Sequence, residues 1–553
     1  MTSRLAIYSP NGRVGVGGNV FGKDIANFEL FRAMVLHGGL SHVDFLTHTE
    51  TPGEEIRRAL IGDATCATEI TAANILSQHI PAAAGAMLRG AARLEELAWQ
   101  RRRMVGDNAY SLMGLIHTTA PPAIRQDIAM AAIAPIHPWD ALICTSPSVQ
   151  TAMTVMFEEW GDYLGDRFGG PARPGPQLSL IPLGVDGPAL SAIADRPAVR
   201  AETRASLGLD EEDILVLWVG RLSFFEKAFP QPMMKAVQEA AQAAGKVVHF
   251  AMAGWFPNPD DEGLYRQAAA LHAPNIIFHV VDGSDRERLG AMWASSDIFL
   301  SLVDNIQETF GITPLEAMAS GLPVVVSDWD GYRYTVRDGE EGFLIPSLGG
   351  PSEGLPADLV GQHVFGLKSY QQYVGIIAQH TAIHVGRAAD ALRQLIVSPE
   401  LRRRMGEAGR RRIRETFDWS VVAPQYTALA EELTAIRKAS TLVSPLSRLN
   451  PVKGDPFRDF AGFASMTLSL ETRVRLASGV TAANLDLIRN SQLDMFAANW
   501  RCTLDEAQQV IALLTDSQAM TVKAVLLAFP QARRRLLHLG LVWMAKQGLL
   551  DWL

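Results

Sequence analysis

Cysteine is scarce in this chain: Cys66, Cys144 and Cys502 are the only three in 553 residues. They lie far apart and show neither pairing nor metal spacing, which excludes a disulfide framework and makes a reducing, cytoplasmic setting the expectation. Long hydrophobic runs are missing as well. No segment reaches the eighteen or so apolar residues of a membrane span, and the opening "MTSRLAIYSPNGRVGVGGN" lacks the apolar core of a secretory signal. Positive charge is in deficit, with 50 Lys and Arg against 59 Asp and Glu and a net charge of -9. A protein whose main task is gripping nucleic acid leaves a basic footprint, so no nucleic-acid partner is expected. Solenoid-type internal repeats are absent too. What the chain does have is a 48% share of hydrophobic residues, ample for large cores, over a length that suggests about three or four domains.

The apolar residues come in short runs separated by helical stretches. "RLAIYS", "HVDFLTH", "YSLMGLIHT" and "DALICTS" alternate with helix-like segments such as "FELFRAMVLHGG", which argues for a parallel sheet covered by helices. After "RFGGPARPGPQ" and "LSLIPLGVD" a second alternation begins: "DILVLWVGRL", "VVHFAMAGW", "NIIFHVV", "DIFLSLV" and "LPVVVSD". Two α/β domains flanking a hinge near Pro182 to Asp186 are therefore expected, with the binding cleft between them at the strands' carboxyl ends. "PSLGGPSEGLP", residues 346–356, is a Gly/Pro/Ser-rich loop, and the stretch after it to about residue 380 is poorly patterned. Long helices over "SPELRRRMGEAGRRRIRETF" and "VVAPQYTALAEELTAIRK" close this part. The expected division is 1–184, 185–440, a linker at 441–454, and a small, mostly helical unit at 455–553.

The densest chemistry sits in "QETFGITPLEAMASGLPVVVSDWDG", residues 307–331. Thr313 is a natural N-cap and Pro314 suits the first helical position, so the expected helix starts at Pro314 with Glu316 where a capping-box acid sits. Exposed N–H groups at such a start attract phosphate, and Glu308 lies just ahead of them. An acid there suits a diphosphate only if it faces another part of the ligand, such as a hydroxyl-rich group. In "VGRLSFFEKAF" Arg221 and Lys227 end a strand, where cations suit a diphosphate. "NGRVGVGGNVFG" after the first strand offers Gly12, Gly15, Gly17 and Gly18 for close approach to a phosphate, though it lacks the dinucleotide G-x-G-x-x-G spacing.

Taken in order, the Gly-rich first loop, "IPLGVD", "VGRL" with Lys227, "AMAG", "SSDIFLSL", "ETFGITPLEAMASGLPVVVSD", "DGEEGFLIP" and "WSVVAPQY" resemble the retaining, nucleotide-sugar-dependent glycosyltransferases of the GT-B fold, group 1 family. The resemblance covers roughly residues 1–440. It implies two Rossmann-like parallel-sheet domains facing a cleft, acceptor-binding first and donor-binding second, and transfer of a sugar from a nucleoside diphosphate sugar to a hydroxyl of a glycan, lipid or small molecule. By the same resemblance Glu308 holds hydroxyls of the donor sugar and Glu316 those of the ribose. Arg221 and Lys227 hold the diphosphate, Gly15, Gly17, Gly18, Phe310, Gly311, Ile312 and Thr313 line the donor site, and His117 is the active-site histidine near the reacting carbon. No cofactor and no metal are implied. A phosphorylase, a sugar-nucleotide epimerase and a non-catalytic binding protein are the competing readings. "DWDGYRY" and "VDNIQE" depart from the family pattern, as does the long stretch 351–380, which suits an acceptor lid or a partner surface.

Some segments lie outside this scheme. Residues 84–104, "AGAMLRGAARLEELAWQRRRM", read as one amphipathic helix ending in three arginines, a pattern that fits peripheral contact with an anionic membrane or an ordinary surface helix. His380 and His384 have metal-ligand spacing on a helix, but no third ligand is evident. Asp328 and Asp330 form an acid-x-acid pair read as turn residues before Gly331. From residue 451 onward 11 Lys and Arg face 9 Asp and Glu. "TVKAVLLAFPQARRRLLHLGLVWMAKQGLL" has winged-helix character, and the near-neutral balance points to docking or self-association rather than DNA.

Overall fold

Runs rich in Val, Ile and Leu satisfy a sheet covered on both faces, and the computed structural model forms two such sheets. It describes residues 4–10, 22–49, 51–170, 175–352, 354–441, 447–481 and 483–553. In the first sheet β1 (Arg4–Tyr8), β2 (His42–Thr47), β3 (Glu69–Asn74), β4 (Ala86–Arg89), β5 (Ser111–Leu115), β6 (Ala141–Cys144) and β7 (Gln177–Leu180) run parallel in the order β3-β2-β1-β4-β5-β6-β7. The second holds β8 (Ile214–Val219), β9 (Val248–Gly254), β10 (Ile277–Asp282), β11 (Ile298–Ser301), β12 (Val324–Ser327) and β13 (Gly342–Ile345), parallel in the order β10-β9-β8-β11-β12-β13. Each sheet reverses its winding once, beside β1 and β4 in the first and beside β8 and β11 in the second. This is the α/β, GT-B architecture that the sequence led us to expect.

One expectation fails. Residues 84–104 are not a single helix: Ala86–Arg89 is β4, buried between β1 and β5, and the helix covers only Glu95–Met104. Four residues are too few to show a strand's period, and the Gly-Ala pair at 90–91 is the turn that ends it. The arginines do not form a cationic helix end either. Arg101 is fully buried, giving its guanidinium to Asp140 at 2.7 and 2.8 Å and to the carbonyls of Tyr110 and Pro135. Removing one partner from a buried pair of this kind typically costs about 3–5 kcal/mol. Arg102 bonds Asp107 at 2.8 Å, which leaves only Arg103 of the three exposed. The observation that suggested membrane contact is thereby removed. No helix among the described residues is long and apolar enough to cross a membrane.

The chain crosses between the sheet domains twice, at adjacent points. Val185 N–H donates to the Phe417 carbonyl at 2.9 Å and Trp419 N–H to the Val185 carbonyl at 3.0 Å, so the predicted hinge and the return crossing pair like strands. Helix Trp419–Ala439 then packs on the first domain. Thr427 Oγ1 donates to the Gly38 carbonyl at 2.8 Å, and Arg437 donates to the carbonyls of Gly85, Asn108 and Ala109. The last helix of the 1–448 unit thus completes the core of the first domain.

Residues 1–448 form one compact unit and residues 449–553 another. The second unit has its own apolar core, built around Val474, Val510, Leu537 and Leu541. It is mostly helical, and a three-stranded antiparallel sheet joins Arg473–Leu476 at the centre to Met520–Thr521 and Leu550–Trp552. Helices Val522–Leu527 and Arg534–Lys546 form the helix-turn-helix pair that the sequence suggested. We expect a fragment of residues 1–448 to express as a folded protein. A fragment ending at residue 418 should aggregate, because it strips the covering helix from the first domain; size-exclusion chromatography and thermal melting compare the two.

Candidate active site

Reversal of strand order opens a crevice beyond the carboxyl ends of β8 and β11, and the loops leaving these strands carry the two predicted cations and the first predicted acid. Across that crevice Lys227 Nζ lies 3.0 Å from Glu308 Oε2, and Arg221 pairs with Glu226 at 2.9 Å. Buried polar side chains hold the loops together. Asn305 donates its amide to the Phe225 carbonyl, and Asp304 Oδ2 accepts from the Phe229 N–H at 3.3 Å. Burial pushes the Asp304 carboxyl up to about 8. The last residue of "AMAG" has a geometric cause: a Cβ on Gly254 would stand 1.7 Å from the Gly220 carbonyl oxygen, so only glycine lets β9 pass the loop that carries Arg221.

The helix start differs from expectation. The helix spans Ile312–Ala319, its N-cap is Gly311 at φ 84°, and no side chain caps it. A left-handed residue turns the chain into the helix two positions earlier than Thr313 would. Any Cβ on Gly311 would also fall 1.8 Å from the Tyr332 ring. Thr313 instead bonds the Tyr332 phenol, which also meets Ser301 Oγ at 3.0 Å. There is no capping box, so Glu316 is not committed to the helix end. Half-buried, with Glu29 of helix Gly22–His37 adding like charge, its carboxyl is pushed up to about 7, chiefly by desolvation.

From the first domain the loop after β5 supplies His117. Asn27 donates its amide to the Gly90 carbonyl at 2.9 Å and so turns Oδ1 toward His117 Nε2, also at 2.9 Å. An amide oxygen only accepts, which places the ring proton on Nε2. Burial lowers the imidazole to about 4, so it is neutral at pH 7. The two domains touch here. Thr309 Oγ1 donates to the His117 carbonyl at 2.7 Å, and Ser146 Oγ donates to Asp330 Oδ1 at 2.6 Å. Asp330 has φ 35°, and desolvation pushes it up to about 7 despite the Ser146 bond; Asp328 pairs with Arg333 at 2.6 Å. The predicted Gly12, Gly15, Gly17 and Gly18 lie outside the described residues.

The structure thus gathers His117, Glu308, Phe310 and Gly311 into one neighbourhood, with Arg221 and Lys227 on the opposing loop. It separates His380 from His384: the first caps the end of helix Tyr370–Gln379, the second begins helix Val385–Val397, and no single helix carries both. The poorly patterned stretch holds a helical hairpin, Leu355–Val364 and Tyr370–Gln379. Its second helix opens with a capping box, Ser369 to Gln372, a signal present in the sequence. Sequence reasoning missed Asn27, Asp304, Asn305 and Tyr332. The departures "VDNIQE" and "DWDGYRY" contain three of them, and nothing in the sequence marked Asn27.

Two doubly wound domains joined by paired crossings place cations, carboxyls and an uncapped helix start at the switch point, an arrangement whose electrostatics suits an anion. Residues 199–348 match the family model described as glycosyl transferases group 1. The chain is 34% identical over 173 residues to a phosphatidyl-myo-inositol mannosyltransferase of Mycobacterium leprae, covering 31% of this chain and 35% of that one. With a D-inositol 3-phosphate glycosyltransferase of Rhodococcus erythropolis it shares 31% identity over 156 residues, 27% of this chain and 34% of the relative. The chain therefore spans about a third of the length of these curated relatives. Among solved structures, Anabaena HepE in complex with UDP aligns over 78% of this chain and all of its own, at 15% identity and a TM-score of 0.49.

Glu316 gives a test of this electrostatic picture. Below about pH 4.5 its carboxyl is protonated whether the chain is folded or not. Between there and about 7 the unfolded chain ionises first, so the native state loses stability as pH rises. We expect Glu316→Gln to leave the melting temperature unchanged near pH 4.5 and to stabilise the protein at pH 8 by about 1–3 kcal/mol, read from denaturant unfolding at both pH values.

Proposed function

We propose that the protein is a retaining glycosyltransferase that moves a sugar from a nucleoside diphosphate sugar to an acceptor hydroxyl. The observation that carries this reading is the pairing of Lys227 with Glu308 across the β8/β11 crevice, beside Arg221 and the uncapped helix start at Ile312. An arriving diphosphate offers both cations new partners, and the N–H groups at Ile312 supply further positive potential. Lys227 leaving Glu308 frees that carboxylate to accept from the hydroxyls of the donor sugar. Glu316, without a cap to serve, is available to the ribose. The match of residues 199–348 to the group 1 glycosyl transferase model supports the same assignment.

Catalysis in this reading is electrostatic. As the bond from the anomeric carbon to the diphosphate breaks, charge builds on the leaving group between Arg221 and Lys227, and the acceptor hydroxyl attacks from the same face. Neutral His117, its Nε2–H held by Asn27, is oriented beside the reacting sugar without adding charge. No metal enters the scheme: Asp328 and Asp330 are engaged by Arg333 and Ser146. Two of the relatives are named for inositol-containing acceptors, which makes a phosphorylated polyol the first acceptor class to try.

If this reading holds, Arg221→Ala and Lys227→Ala each lower kcat by at least about tenfold as well as weakening donor binding, because their contacts strengthen in the transition state. A rise in KM with kcat intact would remove them from catalysis. Product NMR is expected to show the donor's anomeric configuration retained, and transfer should persist in excess EDTA. An inverted linkage, or loss on chelation with rescue by manganese or magnesium, would overturn the retaining or the metal-free part of the scheme respectively.

A further inference from the structure

The helical hairpin at 355–379 touches three of the loops that build the site. Tyr373 and Val374 pack with Ala120, just past His117, and Ile306, just before Glu308, joins the same apolar cluster. Gly375 lies so close to Phe225 that an added Cβ would stand 3.0 Å from its ring. Gln371 Nε2 reaches Glu226 Oε1, the carboxylate that pairs with Arg221, at 3.4 Å. The capping box at Ser369 fixes where this helix begins, which sets Tyr370 at its first position.

Tyr370 has an unusual environment. Its hydroxyl is buried, has no hydrogen-bond partner among the described residues, and lies within electrostatic reach of Arg221 and Glu226. Glu226 already receives Arg221 and Gln371. A buried hydroxyl without an acceptor is costly to keep, and a phenylalanine would fill the same space without that cost. Phosphate oxygens are acceptors only, and the donor reading above brings them to Arg221.

We propose that Tyr370 is a further donor-binding residue, supplied by the hairpin, whose hydroxyl donates a hydrogen bond to a diphosphate oxygen of the nucleotide sugar beside Arg221. The assignment rests on the proposed function. It makes the hairpin part of the donor site rather than an appendage, since the helix that packs on Ala120 and Phe225 also delivers the hydroxyl.

The test compares the full-length protein with Tyr370→Phe, using UDP, GDP and ADP in thermal-shift and calorimetric titrations, followed by the corresponding nucleotide sugars. The variant keeps the ring and its packing, so its unliganded melting temperature should equal or exceed that of the wild type. Its affinity for whichever diphosphate the wild type prefers should fall about tenfold, the scale of one hydrogen bond to a charged group. A lower unliganded melting temperature with undiminished nucleotide affinity would make Tyr370 purely structural and overturn the assignment. A loss seen with the nucleotide sugar but not with the diphosphate would move the contact to the sugar and overturn it equally. No binding of any diphosphate by the wild type would sink the proposed function, and this assignment with it.

Discussion

The structure around the cleft depends on one constraint: the carboxyl ends of β8 and β11 diverge, and opposite charges must face each other across the gap. Lys227 and Glu308 do so at 3.0 Å. At that separation, with the effective screening typical of a partly buried site, attraction is on the order of a few kcal/mol. It is available only if both loops are held. Asn305 and Asp304 bond the β8 loop from beneath, Gly254 lets β9 slip under it, and Gly311 turns the chain sharply into its helix just after Glu308 and the buried Phe310.

Carboxyls crowd the same region, and their environments sort them. Glu308 has a cation, whereas Asp304, Glu316 and Asp330 are desolvated and pushed up to about 8, 7 and 7. Near neutral pH the cleft therefore carries less negative charge than its composition suggests. That eases the entry of an anion into a site lined by acids. The imidazole of His117 is neutral for the same reason of burial, so protons in this cleft are governed by desolvation more than by pairing.

Much of the architecture could be read from the chain because each central strand is a near-continuous apolar run: "ILVLWV" and "VHFAMAG" leave little choice. The strands that escaped notice explain themselves. β3, "EITAAN", is a half-polar edge, and β4, "AMLR", is four residues long inside a helix-like pattern. The cations and acids of the donor loop were legible because their spacing around a helix start is distinctive. The helix start itself was misjudged by two residues, since Thr313 and Pro314 look like a cap and the decisive clash between Gly311 and the Tyr332 ring is tertiary. Asn27 could not be found at all, because nothing local marks a helical asparagine that meets a histidine 90 positions on. The hairpin hid behind a helix, Leu355–Val364, that buries none of its residues and so has no core-facing stripe.

The paired crossings at Val185 and Asp418 have a mechanical meaning. A single connecting strand would let the two sheet domains swivel, tilt and slide against each other. Two crossings bridged side by side behave like a pair of door pins: bending about the line through them distorts few backbone bonds, whereas twisting or shearing strains the two hydrogen bonds of the bridge. Helix Trp419–Ala439, riding on the first domain, fixes one leaf of that door to its frame. The movement this pairing leaves easiest is opening and closing at the rim where Thr309 meets His117, and a ligand seated there would act on that coordinate.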